Sequence, residues 1–184
     1  AGPRKRDQIA GGYVHEVEPG MEPWVVVLDF KSMYPSIMIS NNICSTTLVT
    51  DGDEDKSHSV SPTTGTRYKS KEDMNGLVPR LLEDLMEKRD LYKRGMEEAQ
   101  ERNDPVEAFL LDQLQYAVKI LMNSFYGVFA SSFYRFTHPD LGASITEWAR
   151  HNIKAIISQV EEGGNDVIYS DTDSIFVKSP VDSG

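Results

Sequence analysis

Apolar and polar positions change their period several times along the 184 residues. The run Trp24-Val25-Val26-Val27-Leu28 is short, continuous and rich in β-branched residues. It predicts a buried strand that delivers Asp29 at its end. From Leu77 to Arg102 the period becomes helical, with Leu81, Leu82, Leu85 and Met86 recurring on one side. Asn103-Asp104-Pro105 then interrupts the pattern, and proline suits the first turn of a new helix. That helix carries Leu111, Leu114, Val118, Leu121 and Phe125, spaced as a packing stripe. Long helices joined by a tight turn predict an antiparallel hairpin. On this evidence alone, a plain helical pair in a bundle fits as well.

A third helix is predicted from Pro139 to Glu162, stopped by Gly163-Gly164. Val167-Ile168-Tyr169 and Ile175-Phe176-Val177 predict a β-hairpin around Ser170-Asp171-Thr172-Asp173-Ser174. Residues 51–71 begin Asp51-Gly52-Asp53-Glu54-Asp55 and continue rich in Ser, Pro, Thr and Gly, as a solvated loop or a short irregular hairpin would. Residues 1–12 read as a flexible lead-in ending at Gly11-Gly12. The sequence holds no internal repeat. A strand, a helical hairpin, a helix and two further strands together predict an α+β domain whose sheet is interrupted by the hairpin.

Composition adds one objection. The net charge is −10, with 29 acidic against 19 basic residues, whereas a nucleic-acid-binding surface is expected to be basic. Carboxylates that hold divalent cations, or a basic surface supplied from outside this chain, would answer it. The single cysteine, Cys44, excludes an internal disulfide and argues against a thiolate zinc site. No apolar stretch reaches membrane-spanning length, and the basic start lacks the apolar run of a secretory signal. An intracellular setting is expected.

The chemistry lies in the carboxylates. Asp29 ends an apolar run, and Asp171 and Asp173 flank Thr172 at the tip of an apolar hairpin. In extended chain, residues two apart project to the same side. Should the strands be neighbours, three carboxylates would converge, a cluster that hard divalent cations stabilise. The alternative is that both hairpin aspartates are ordinary turn residues. On the second long helix, Lys119, Asn123 and Tyr126 share a face well away from the apolar stripe. Arg89 and Lys93 are one turn apart on the first helix and able to face the same cleft, though by spacing alone such charges are ordinary surface.

Asp29-Phe30-Lys31-Ser32-Met33-Tyr34-Pro35-Ser36-Ile37 resembles the first motif of the B-family, archaeal-type DNA polymerases, Asp-x-x-Ser-Leu-Tyr-Pro-Ser-Ile. Lys119-Ile-Leu-Met-Asn123-Ser124-Phe125-Tyr126-Gly127 resembles the second, and Tyr169-Ser170-Asp171-Thr172-Asp173-Ser174 the third. Three motifs in the family's order and approximate spacing are a specific signal. The resemblance implies a polymerase palm, an antiparallel sheet with packed helices, interrupted by a fingers insertion. Palm would occupy residues 1–71 and 127–184, with the acidic loop in the first part, and the fingers 72–126.

The resemblance also implies roles. Asp29 and Asp173, with the Phe30 carbonyl and Asp171 in support, would hold two magnesium ions, for which manganese can substitute. Arg89, Lys93 and Lys119 would hold the triphosphate of an incoming deoxynucleotide. Ser32, Met33, Asn123 and Tyr126 would line its pocket, with Tyr34 as a steric gate against ribonucleotides. Gly11, Gly12, Gly127 and Thr172 would lie against primer–template DNA. Met33 departs from the usual leucine, Ser170 from the usual glycine, and Ile9-Ala10-Gly11-Gly12 from a Tyr-x-Gly-Gly linker. Exonuclease and thumb are expected in further segments or a partner chain, with a sliding clamp as another partner. An archaeal or bacterial member would be cytoplasmic and nucleoid-associated. The competing expectations are a polymerase-like subunit with a binding or scaffold role, and another palm enzyme such as an RNA polymerase or reverse transcriptase.

Overall fold

The computed structural model describes residues 9–15, 20–22, 24–50, 57–131, 134 and 138–179. The acidic run 51–56 and most of the lead-in before Ile9 lie outside the described residues. Strands β1 (Val14–His15) and β2 (Val25–Asp29) are followed by α1 (Met33–Ser40), then by β3 (Ser57–Val60) and β4 (Arg67–Lys69). Helices α2 (Leu77–Glu101), α3 (Pro105–Ala130) and α4 (Pro139–Glu162) lead to β5 (Val167–Asp171) and β6 (Ser174–Lys178). The result is an α+β fold. Its antiparallel sheet runs β1-β5-β6-β2, and β3 pairs with β4 in a separate hairpin.

The expectation of a buried first strand is corrected. β2 is an edge strand with β6 as its sheet neighbour, and its side chains from Val25 to Leu28 remain 38–53% exposed. A continuous apolar run cannot distinguish a strand covered on both faces from an edge strand. The core forms instead where α4 packs on the sheet. Ile145, Ile153 and Ile157 join Ile175 and Val177 of β6 and Met33 and Ile37 of α1 in one buried cluster.

The helical hairpin forms as its punctuation requires. Asp104 caps α3 by accepting the Glu107 backbone N–H at 3.0 Å, and Pro105 takes the first helical position. The packing stripe of α3, however, is rotated from the expected one. Ala108, Met122 and Phe129 are buried, with Val118 and Phe125 half-buried, whereas Leu114 and Leu121 are 46% and 49% exposed. Because α3 is apolar around much of its circumference, sequence spacing did not single out the buried side. At the start of α2, the buried Asn42 amide replaces a side-chain cap. It accepts the Gly76 N–H at 3.0 Å and donates to the carbonyls of Lys69 and Met74.

The segment after the acidic run is a docked hairpin. Tyr68 is fully buried, and its hydroxyl donates to Ser144 Oγ at 2.9 Å. Glu147 of α4 is buried too, and one of its oxygens accepts from Ser61 Oγ, the backbone N–H groups of Thr63 and Thr64, and Thr64 Oγ1. That carboxylate is the anchor for the β3–β4 turn, since burial without donors would cost several kcal/mol. Among the described residues, no helix is long and apolar enough to cross a membrane.

Candidate active site

Ladder register builds the first wall. Asp29, at the end of β2, pairs with Ser174, and the Phe30 N–H donates to the Asp173 carbonyl at 2.9 Å. β5 and β6 are joined by Thr172 and Asp173 alone. Thr172 adopts φ 54°, a left-handed conformation that a β-branched residue rarely takes. It is held there by its N–H, which donates to the Tyr13 carbonyl at 2.9 Å, and by Gly12, where an added Cβ would lie 2.7 Å from Thr172 Oγ1.

This turn alters the expected carboxylate cluster. Same-side projection of Asp171 and Asp173 assumes extended chain, but the intervening residue turns back. Asp29 and Asp173 both line a cavity, whereas Asp171 does not and accepts instead from Thr172 Oγ1 at 2.9 Å. Among the described residues, no three His, Cys, Asp or Glu side chains gather closely enough to hold a metal ion. Burial raises the Asp173 carboxyl above its usual pKa, the Asp29 charge raises it further and Asp171 adds to this, while Lys119 counteracts. Two carboxylates lining one cavity, close enough for the charge of Asp29 to raise Asp173, are oxygen ligands of the kind a hard divalent cation takes.

The cavity measures about 570 Å³ and is open to solvent on one side. Phe30, Lys31, Ser32, Met33 and Tyr34 form its floor, leading from Asp29 into α1. Ser32 takes φ 51° at the N-terminus of α1, which turns the chain so that Met33 enters the core and Tyr34 lies along the cavity. The helical hairpin adds Arg89 and Lys93 from α2, and Lys119, Asn123 and Tyr126 from α3, to the lining. The rings of Tyr34 and Tyr126 are 4.5 Å apart between centroids, tilted by 47°. Burial raises both phenol pKa values, with Tyr126 and Asp173 raising Tyr34 further and Arg150 opposing the shift on both.

None of the predicted glycines lines this cavity. Gly127 is exposed, with nothing within 4 Å of an added Cβ, and Gly11 is similarly open. Thr172 does line the cavity. Ser170 has no positive φ, so the replacement of the usual glycine needs no backbone strain. Its hydroxyl is buried, and among the described residues it finds no hydrogen-bond partner.

Three residues of this region were not singled out by sequence. Lys31 Nζ lies 2.8 Å from both carboxylate oxygens of Asp90, linking the cavity floor to α2. Arg150 of α4 donates to the carbonyls of Ala10 at 2.9 Å and Gly11 at 2.7 Å. Gln115 contacts Arg89. No periodicity marks these residues, because each acts through a partner distant in the chain.

The family model for DNA polymerase family B matches residues 2–183. A DNA polymerase of Thermococcus gorgonarius is 41% identical over 178 residues, covering 96% of this chain and 22% of that protein. DNA polymerase 1 of Pyrococcus abyssi is 38% identical over 177 residues, with the same coverage of each. Among solved structures, the family B DNA polymerase of the hyperthermophilic archaeon Pyrobaculum calidifontis superposes with a TM-score of 0.76 at 31% identity. That match covers 96% of this chain and 23% of that one. The chain thus spans about a fifth of the length of the relatives it matches.

Proposed function

Because the chain belongs to DNA polymerase family B, we propose that it carries the catalytic core of template-directed DNA synthesis. In this reading a primer 3′-hydroxyl attacks the α-phosphate of a deoxynucleoside triphosphate, and pyrophosphate leaves. Residues 1–71 and 127–184 act as palm and 72–126 as fingers. The observation that carries the reading is one cavity lined by Asp29 and Asp173 from the sheet and by Arg89, Lys93 and Lys119 from the helical hairpin. Oxygen donors and cations in one cavity suit a magnesium-bound triphosphate, whose metal takes the carboxylates and whose phosphates take the cations.

Asp29 and Asp173, with the Phe30 carbonyl and with Asp171 in support, would hold magnesium or manganese. When bound as a pair, such ions activate the attacking oxygen and stabilise the leaving one. The chain's own residues do the rest. Arg89, Lys93 and Lys119 neutralise and orient the triphosphate. Asn123 and Tyr126 line the nascent base pair, with Ser32 and Met33 beneath the sugar and phosphates. Tyr34, steadied by the Tyr126 ring, fills the space that a ribose 2′-hydroxyl needs. Gly11, Gly12, Gly127 and Thr172 border the path of primer–template DNA. Exonuclease, thumb and any sliding-clamp contact belong to the rest of the polymerase or a partner, which also supplies the basic duplex-binding surface.

The test is a chimera in which this chain replaces the matching segment of the Thermococcus gorgonarius polymerase. The folded chimera should extend a DNA primer with magnesium, and Asp29→Ala should abolish extension. A chimera that melts cooperatively, binds primer–template and adds no nucleotide would overturn the reading in favour of a binding or scaffold role.

A further inference from the structure

Arg89 reaches the cavity from α2, but its guanidinium is held from α3. Its Nε donates to the Gln115 side-chain oxygen at 3.2 Å, and the Gln115 amide nitrogen donates to Asp112 Oδ1 at 2.9 Å. The second bond decides the first. An ionised Asp112 can only accept, so Gln115 must turn its NH2 group toward Asp112 and its oxygen toward Arg89. Asp112 and Gln115 are three residues apart on α3, a spacing that brings such side chains together.

Neither Asp112 nor Gln115 lines the cavity, whereas Arg89 does. Bonding through Nε leaves the terminal nitrogens of the guanidinium to other acceptors. It also fixes the plane of a long side chain that otherwise samples many rotamers. We propose that Asp112 and Gln115 form a relay that holds Arg89 pre-aimed for the phosphates of a bound nucleotide. Both are positioning residues. The relay rests on the reading of the cavity as a triphosphate site.

Lys93 provides the internal control. It lines the same cavity from the same helix, one turn beyond Arg89, and stands outside the relay. Loss of the relay therefore weakens nucleotide binding through Arg89 and leaves the contribution of Lys93 intact.

The experiment measures magnesium–dATP binding to the full chain by calorimetry. Gln115→Met keeps side-chain length but removes the acceptor. It should weaken binding about three- to tenfold, the effect of one net hydrogen bond, while the chain still melts cooperatively. In an Arg89→Ala background the same substitution should add nothing, while in Lys93→Ala it should keep its full effect. Asp112→Ala, which frees Gln115 to turn over, should weaken binding in the same direction and carries the test should Gln115→Met unfold. Full-strength binding by Gln115→Met and Asp112→Ala beside a weakened Arg89→Ala overturns the relay alone, as does an undiminished Gln115→Met effect without Arg89. An unaffected Arg89→Ala, or no nucleotide binding by the unaltered chain, overturns the triphosphate reading and the relay with it.

Discussion

Phe30 donates its backbone N–H to the carbonyl of Asp173 at 2.9 Å, extending the β2–β6 ladder one step past the Asp29–Ser174 pair. That bond fixes the start of the first motif against the turn of the third. Asp29 and Asp173 then share a wall of the cavity because the ladder leaves little other register for them.

The shared wall has opposite consequences for stability and activity. Burial and the Asp29 charge already raise the Asp173 carboxyl, so Asp173→Asn removes a repulsion in the absence of divalent ions. Its melting temperature in EDTA should equal or exceed that of the unaltered protein, while primer extension by the chimera falls to background. Clear destabilisation in EDTA would show that Asp173 serves the fold rather than a ligand.

Tyr34 and Tyr126 lean on one another, and Tyr34 is half-buried against the core. Tyr34→Ala should raise incorporation of ribonucleotides relative to deoxynucleotides by at least tenfold, as an order-of-magnitude estimate of about 1.4 kcal/mol or more in discrimination. It should also cost roughly 1–3 kcal/mol of stability as the ring is lost. Single-nucleotide extension with both sugars checks the first effect and denaturant unfolding the second; unchanged sugar discrimination refutes the gate.

Glu147→Ala leaves the Ser61 hydroxyl and the Thr63 and Thr64 N–H groups without their acceptor. A loss of about 2–4 kcal/mol is expected in urea unfolding, with Glu147→Gln, which keeps an acceptor oxygen, losing less. Equal stability of the two variants would mean that the charge, not the acceptor, holds the hairpin.

Asp90 supplies a pH dependence. Its hydrogen bond from Lys31 holds the carboxyl below its usual pKa, with the Lys31 charge adding to this. A depressed carboxylate stabilises the fold above its unfolded pKa and loses that contribution as pH falls through the folded value. The stability difference between the protein and Asp90→Asn should therefore be present at pH 6 and shrink as pH falls below the usual carboxylate range. It should stay below about 1 kcal/mol, because the pair is exposed to solvent. A difference that grows in acid contradicts the assignment.

Much of this protein was readable along the chain. Asp104-Pro105 at the start of α3, Gly163-Gly164 after α4 and the apolar runs of β5 and β6 are local signals, and the folded elements begin and end where those residues act. The three motifs identified the family for the same reason, since each is a contiguous string whose residue types are its content.

What required the fold were the choices between surfaces. β2 is a strand by its own residues, but whether it is central or at an edge depends on which strands come to lie beside it. α3 is apolar on several sides, and only the placement of α1, α2 and α4 selected Met122 and Phe129 over Leu114 and Leu121 for burial. Asp171 and Asp173 look equivalent in sequence, yet the positive φ of Thr172, held by Tyr13 and Gly12, sends Asp173 into the cavity lining without Asp171. The sequence by itself determined the elements and the chemical groups, because short-range sterics and hydrogen bonding act within a few residues. Tertiary structure alone decided which groups face one another, because that depends on contacts between segments far apart in the chain.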